Sequence, residues 1–133
     1  MLDNTITFQV DELGNDTLVP TAYMRIEEYL GRSLYKSPSH SLEARDTLTV
    51  TRSMPKPSGN FRGVKKSAIK DTIDVTVPGV DATTSIVAPA IGAVNFSLPV
   101  GTSAATALLL RERLIAKLQH QDFITRLTEE LEY

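Results

Sequence analysis

An alternation of apolar and polar side chains between residues 66 and 77 is the feature that most constrains the fold. Successive side chains of a β-strand point to opposite faces of the sheet, so residues two apart share a face. The apolar set is Ile69, Ile73, Val75 and Val77, and the intervening set is Lys66, Ala68, Lys70, Thr72, Asp74 and Thr76. The segment is therefore predicted to be a strand in a sheet with one apolar face and one polar, basic face.

The same period of two recurs on both sides of this segment. Leu48 and Val50 alternate with three threonines at 47, 49 and 51. Within residues 91–98, one face carries Val94, Phe96 and Leu98, and the other face carries Ile91, Ala93, Asn95 and Ser97. Residues 1–20 read as a hairpin around a Gly-Asn-Asp turn at 14–16. Residues 21–46 fit a helical face and a short strand equally well. We predict an antiparallel meander over residues 21–100.

The last thirty residues change to a helical period. Gly101-Thr102-Ser103 can cap a helix whose leucines at 110, 114 and 118 form one stripe. After a break at 120–122, Asp122 can cap a second helix whose buried side is predicted to consist of Phe123, Ile124, Leu127 and Leu131. Strands followed by two helices over 101–133 predict an α+β fold, and 133 residues suit a single domain.

Charge is distributed unevenly along the chain, although the net charge is only -2. Residues 52–70 contain six basic side chains and no acidic one, which leaves 8 basic and 16 acidic residues elsewhere. This local excess indicates a basic patch suited to phosphate groups. The alternative is a solvated edge strand whose lysines prevent aggregation. The basic residues are Arg52, Lys56, Arg62, Lys65, Lys66 and Lys70.

The composition argues against most enzyme and metalloprotein classes. The chain has no cysteine and two histidines, and it lacks both a glycine-rich phosphate loop and a Gly-x-Ser-x-Gly elbow. No catalytic residue, metal site or cofactor is therefore expected, and a hydrolase built on the loop at 37–46 is a remote alternative. No segment reaches the roughly 18 apolar residues of a membrane helix, so no membrane partner is expected.

An open sheet beside two amphipathic helices would leave exposed edges in a monomer. Pairing with a second copy would cover them, so we predict a homodimer. Its core is predicted to combine Phe96 with Leu110, Leu114 and Leu118 across the two chains.

Four segments and the two-helix end carry a resemblance to a known family. They are ITFQVDELGNDTLVP at 6–20, LEARDTLTVTRSMPKPSGN at 42–60, TIDVTVPGV at 72–80 and AVNFSLPVG at 93–101. In order, length and plan the chain resembles the coat proteins of the small single-stranded RNA bacteriophages, the levivirus-like phages.

The resemblance implies a dimer with one continuous antiparallel sheet and with each chain's helices packed across its partner on one face. It also implies assembly in the bacterial cytoplasm into an icosahedral virion around genomic RNA, and repression of replicase translation through an RNA hairpin. A small dimeric RNA-binding regulator that forms no shell is the alternative.

The inward sheet face of such a dimer would contact RNA. Thr49, Thr51 and Thr72 match polar positions of the family, and Lys66 and Lys70 continue the same face. The alternative for the threonines is that they are only strand-forming residues on a solvated face. Arg62 in the preceding loop and Asn95 on the following strand are further candidate RNA contacts. Asp74, Ile91 and Ala93 depart from the family's pattern, since relatives often have a lysine, a base-stacking tyrosine and a polar residue there. We therefore expect either looser binding dominated by phosphate contacts or recognition of an RNA hairpin of another shape. The loop from Pro78 to Ser85 is expected at the shell's symmetry axes.

Overall fold

The computed structural model describes residues 2–129 and confirms the α+β fold. Six strands precede two helices, in the predicted order. The chain forms two compact units, one of residues 2–55 with 65–97 and one of 56–64 with 98–129. The elements are β1 Thr5–Val10, β2 Val19–Tyr29, β3 Arg32–Lys36, β4 Asp46–Ser53, β5 Val64–Pro78, β6 Ser85–Pro99, α1 Ala104–Gln119 and α2 Gln121–Thr128.

The six strands form one antiparallel meander in the order β1 to β6. The return strand of the first hairpin does not end near Pro20 but continues to Tyr29, where it turns into β3. A bulge between Arg25 and Glu27 shifts the register of β2 against β3. Because a bulge inserts one extra residue, it exchanges the faces on which odd and even residues lie. Apolar and polar residues of β2 therefore do not follow one period of two over the whole strand.

The register assigns each strand residue to one of two faces. The polar face carries the threonines of β4 at 47, 49 and 51 opposite Thr72, Lys70 and Ala68 of β5. On β3, residues 36, 34 and 32 lie opposite those same threonines. The apolar face carries Leu48 and Val50 with their partners on β3 and β5. The alternation predicted from the sequence is thus confirmed.

Few side chains are buried within the described chain. Tyr35 is fully buried on the apolar face, and its hydroxyl donates a hydrogen bond to the carbonyl oxygen of Asp3 at 2.8 Å. Beside it, the rings of Phe8 and Tyr23 meet edge to face, with centroids 5.5 Å apart. Large residues on the same face remain exposed, among them Phe8, Ile69 and Ile73. The apolar face is therefore largely uncovered in a single chain.

The helices begin at defined caps. Ser103 caps α1 as predicted, accepting a hydrogen bond from the backbone nitrogen of Thr106 at 3.2 Å. The cap of α2 is His120 and not Asp122, because His120 Nδ1 accepts from the backbone nitrogen of Phe123 at 3.2 Å. Asp122 lies in the first turn instead, where its charge favours the positive end of the helix.

No described residue of α1 or α2 is buried. Phe123, which was predicted on a buried side, is 48% exposed, and Leu131 lies outside the described residues. Leu127 is 45% exposed and Ile124 is half-buried, so within the described residues the prediction of a buried side is wrong. Neither helix is long and apolar enough to cross a membrane.

Candidate nucleic-acid interface

Three cross-strand rows build the centre of the polar face. One row joins Lys36, Thr47 and Thr72, and the next joins Leu34, Thr49 and Lys70. The third joins Arg32, Thr51 and Ala68. Directly opposed residues have Cβ atoms about 5 Å apart, so each threonine contacts the side chains beside it. The rows place cations on both sides of a threonine strand.

The threonines form the floor of this surface. Thr47, Thr49 and Thr72 are only 5%, 8% and 6% exposed, and Thr51 is half-buried. Short side chains at the centre of a sheet are shielded by the longer side chains beside them, which here include those of Leu34 and Lys70. Thr49, Thr51 and Thr72 thus lie on the expected face, but two of them offer little surface.

The exposed charged side chains of β3 and β5 on the polar face are cationic. Lys66 and Lys70 are exposed on β5, on the face assigned to them from the sequence. The structure adds Arg32, which is exposed, and Lys36, which is half-buried, both on β3. Sequence reasoning missed these two residues. The alternation within RSLYK indicates that Arg32 and Lys36 share a face. It does not indicate that this face is the polar one, because Leu34 lies on the same side.

Asp74 is the acidic residue at a position where the coat proteins that the sequence resembles often have a lysine. Its carboxylate accepts hydrogen bonds from the backbone nitrogen of Arg45 at 3.0 Å and from that residue's guanidinium at 3.2 Å. The backbone hydrogen bond contributes most to lowering the pKa of Asp74, and the guanidinium adds to the effect. The ion pair offsets the negative charge, so Asp74 opposes a phosphate chain less than its sequence position indicates.

The remaining predicted site residues lie outside the three cross-strand rows. Arg62 is exposed in the loop between β4 and β5, which belongs to the same compact unit as the helices. Asn95 is exposed on β6, on the opposite side of the strand from half-buried Phe96. The predicted dimer core includes this phenylalanine and three leucines of α1. Leu110 and Leu118 are exposed, while Leu114 is half-buried.

The apolar face carries two carboxylates close to a tyrosine, namely Asp46, Asp71 and Tyr23. Burial raises the pKa of Asp71, and the nearby charge of Asp46 raises it further. Burial and the same two carboxylates raise the pKa of Tyr23. Among the described residues, no group of three or more His, Asp or Glu side chains is placed to hold a metal ion.

Asp81 orders the loop between β5 and β6. Its carboxylate accepts from the backbone nitrogens of Thr83 and Thr84 at 3.1 and 3.0 Å, and from the Thr84 hydroxyl at 3.1 Å. These hydrogen bonds, the Thr84 backbone bond first, lower the pKa of Asp81. Ala82 has a φ of 58°, in the left-handed region. The Asp81 carboxylate thus adds to the backbone hydrogen bonds from Gly79 to Thr84 and from Ala82 to Gly79, which close the same turn.

Comparison with known proteins identifies the fold. No protein-family model matches the chain, and no curated protein matches it either. Solved structures do match. A subunit from the virus-like particle of bacteriophage AVE019 superposes with a TM-score of 0.76 at 19% identity, covering 100% of this chain and 99% of that one.

Two further structures agree with this match. The virus-like particle of bacteriophage ESE058 gives a TM-score of 0.72 at 15% identity, covering 100% of this chain and 99% of that one. The particle of Beihai levi-like virus 32 gives 0.71 at 20% identity, covering 86% and 88%. The chain therefore has the fold of the subunits that form the virus-like particles of levi-like bacteriophages.

Proposed function

We propose that this chain is a capsid subunit that dimerises and assembles into an icosahedral shell around single-stranded RNA. The observation that carries the proposal is the correspondence with a particle-forming subunit over 100% of this chain and 99% of the other. A protein that shared only the β-sheet with these subunits would match them over only part of its chain. The virion is then the site of action, with assembly in the host cytoplasm.

The uncovered apolar surfaces support the dimer. The apolar face exposes Phe8, Ile69 and Ile73, while the helices expose most of their leucines and bury no described residue. Soluble monomers rarely expose contiguous apolar surface of this extent. A second copy that lays its helices across the apolar face would cover both surfaces at once. The predicted core of Phe96 with Leu110, Leu114 and Leu118 belongs to this arrangement.

The polar face supports the RNA contact. Arg32, Lys36, Lys66 and Lys70 share this face of a chain whose net charge is only -2, so the positive charge is local. Cations arranged over a flat sheet suit a phosphate backbone and read no sequence by themselves. Repression of replicase translation through an RNA hairpin would need base recognition in addition to these contacts.

A dimeric RNA-binding regulator is the second candidate, because the same polar face would serve it. Sedimentation and electron microscopy of the purified protein separate the two. A capsid subunit gives megadalton particles that protect RNA from nuclease. A regulator gives a species of about 29 kDa, twice the 14.6 kDa of the chain, and no particles at any RNA concentration.

A further inference from the structure

An exposed aromatic ring lies on the polar face outside the positions considered so far. Tyr29 ends β2 and is 61% exposed. It lies directly opposite Arg32, which in turn lies opposite Thr51. Residues directly opposed on neighbouring strands share a face. Tyr29 therefore extends the third row of the polar face beyond its cations.

The backbone holds Tyr29 in a fixed position. The next two residues turn the chain into β3, and Gly31 has a φ of +79° in that turn. The backbone nitrogen of Arg52 donates to the carbonyl oxygen of Gly31 at 2.8 Å, which ties the turn to β4. Glu27, on the same face of β2, raises the pKa of Tyr29. The backbone next to Tyr29 is thus anchored, while most of the side chain remains exposed.

The surroundings of the ring favour RNA over a protein partner. An aromatic side chain that anchors a protein interface usually enters a desolvated apolar pocket. The neighbours of Tyr29 on its face are Arg32 and Glu27, and half-buried Thr51 follows in the same row. A ring beside a guanidinium, on a surface that also carries lysines, suits a nucleotide. The base stacks on the ring while the cation binds the phosphate.

We propose that Tyr29 is a base-stacking site for single-stranded RNA and that Arg32 binds the phosphate next to the stacked base. The proposal rests on the proposed function, because it assumes that RNA lies on the polar face. It adds a contact to the base itself, which the cations of that face do not supply. Stacking of this kind tolerates any base, so the site would add affinity without selecting a sequence.

The test measures binding of two probes, a short oligouridylate and an abasic ribose-phosphate oligomer of equal length. Tyr29→Ala and Tyr29→Leu are expected to weaken oligouridylate binding about 5- to 100-fold, since a stacked base is lost. Both variants should bind the abasic oligomer like the wild type and keep its salt dependence. Tyr29→Phe should retain oligouridylate binding. Met24→Ala, which removes an exposed apolar side chain from the same strand and face, should change neither probe.

Intrinsic fluorescence gives a second readout, because the chain has four tyrosines and no tryptophan. Oligouridylate should quench the wild-type emission, and Tyr29→Phe should bind as tightly with less quenching. The stacking proposal is overturned if Tyr29→Ala binds both probes like the wild type, or weakens both equally. It is also overturned if that variant loses particle assembly, which would make Tyr29 an interface residue. If the wild type binds neither probe, the RNA part of the proposed function fails, and this proposal fails with it.

Discussion

At the scale of single residues, the candidate interface consists of buried threonines and exposed lysines. Thr49 and Thr72 are buried, while the rim lysines, Lys66 and Lys70, are exposed beside them. The two groups should act differently on RNA. The lysines are expected to determine the affinity for RNA and its dependence on salt, whereas the neutral threonines are expected to leave the salt dependence unchanged.

Removing rim lysines should lower the salt dependence of RNA binding. Each of Lys66→Ala and Lys70→Ala should reduce the slope of log K against log salt by about 0.7, the value for one phosphate contact on a single strand. Thr49→Val should leave that slope unchanged. Lys65→Ala is the matched control, because it removes the same charge from the other face of β5. A filter-binding titration at several salt concentrations measures the slope. Equal slopes for the Lys66/Lys70 double variant and the wild type would contradict the assignment.

Asp81 should order the loop after β5 at neutral pH. Its lowered pKa means that the folded chain favours the charged carboxylate. The stabilisation is therefore fully present above the ordinary value of 3.8 and is lost as pH falls through the lowered pKa. Asp81→Ala should reduce the hydrogen-exchange protection of the Thr83 and Thr84 amides at pH 7, while Asp81→Asn, which keeps an acceptor oxygen, should lose less. Protection factors that match the wild type in Asp81→Ala would contradict this account.

At the scale of elements, the turn between β2 and β3 positions one side of the polar face. Gly31 has a φ of +79°, and a Cβ added there would lie 2.8 Å from the carbonyl oxygen of Arg52. The turn can therefore hold only glycine without strain. It fixes the register that brings Arg32 beside Thr51.

Gly31→Ala should destabilise the fold by about 1 to 2 kcal/mol from its backbone conformation, with a further cost from the close approach to Arg52. Gly92→Ala is the control, since a Cβ there meets no atom within 4 Å and its φ is not in the left-handed region. Denaturant unfolding of both variants measures the difference. Equal midpoints for the two variants would show that the turn is not constrained in this way.

The sequence predicted β4 and β5 well because their faces depend on a local period of two. Leu48 and Val50 separate cleanly from the threonines between them, and the register confirms it. The second half of β2 could not be read in this way. The bulge after Arg25 exchanges the faces of odd and even residues, so Tyr23 and Tyr29 lie on opposite faces despite their equal parity.

Two other features depended on neighbours that no local pattern contains. The burial of Thr49 comes from side chains on β3 and β5, which alternation within β4 does not specify. The cap of α2 is a histidine, although Asp122 is the stronger capping type two residues later. His120 takes this position because its Nδ1 reaches the Phe123 amide at 3.2 Å.

At the scale of the whole molecule, the proposed function requires a second copy. The apolar face and both helices are uncovered in one chain. Burying each large apolar side chain would contribute about 1.5 to 3 kcal/mol. Dimerisation is therefore expected to be inseparable from the stability of the fold.

Leu114→Ala should destabilise the proposed dimer by about 2 to 5 kcal/mol, because it removes a side chain from the core that we propose the two chains share. Leu13→Ala, which truncates an 83% exposed residue in the first hairpin turn, should leave stability unchanged. Thermal unfolding and sedimentation of both variants measure this. A folded, soluble monomer from Leu114→Ala would show that the helices do not contribute to the dimer core as proposed.

An electron cryomicroscopy reconstruction of the purified protein tests the central claim most directly, because it shows the assembly and the orientation of the sheet together. The account predicts closed icosahedral particles with RNA density against the face that carries Lys66 and Lys70, and with α1 of each chain lying across its partner's apolar face. Dimers that form no particles, or particles whose RNA density lies against the opposite face, would contradict it.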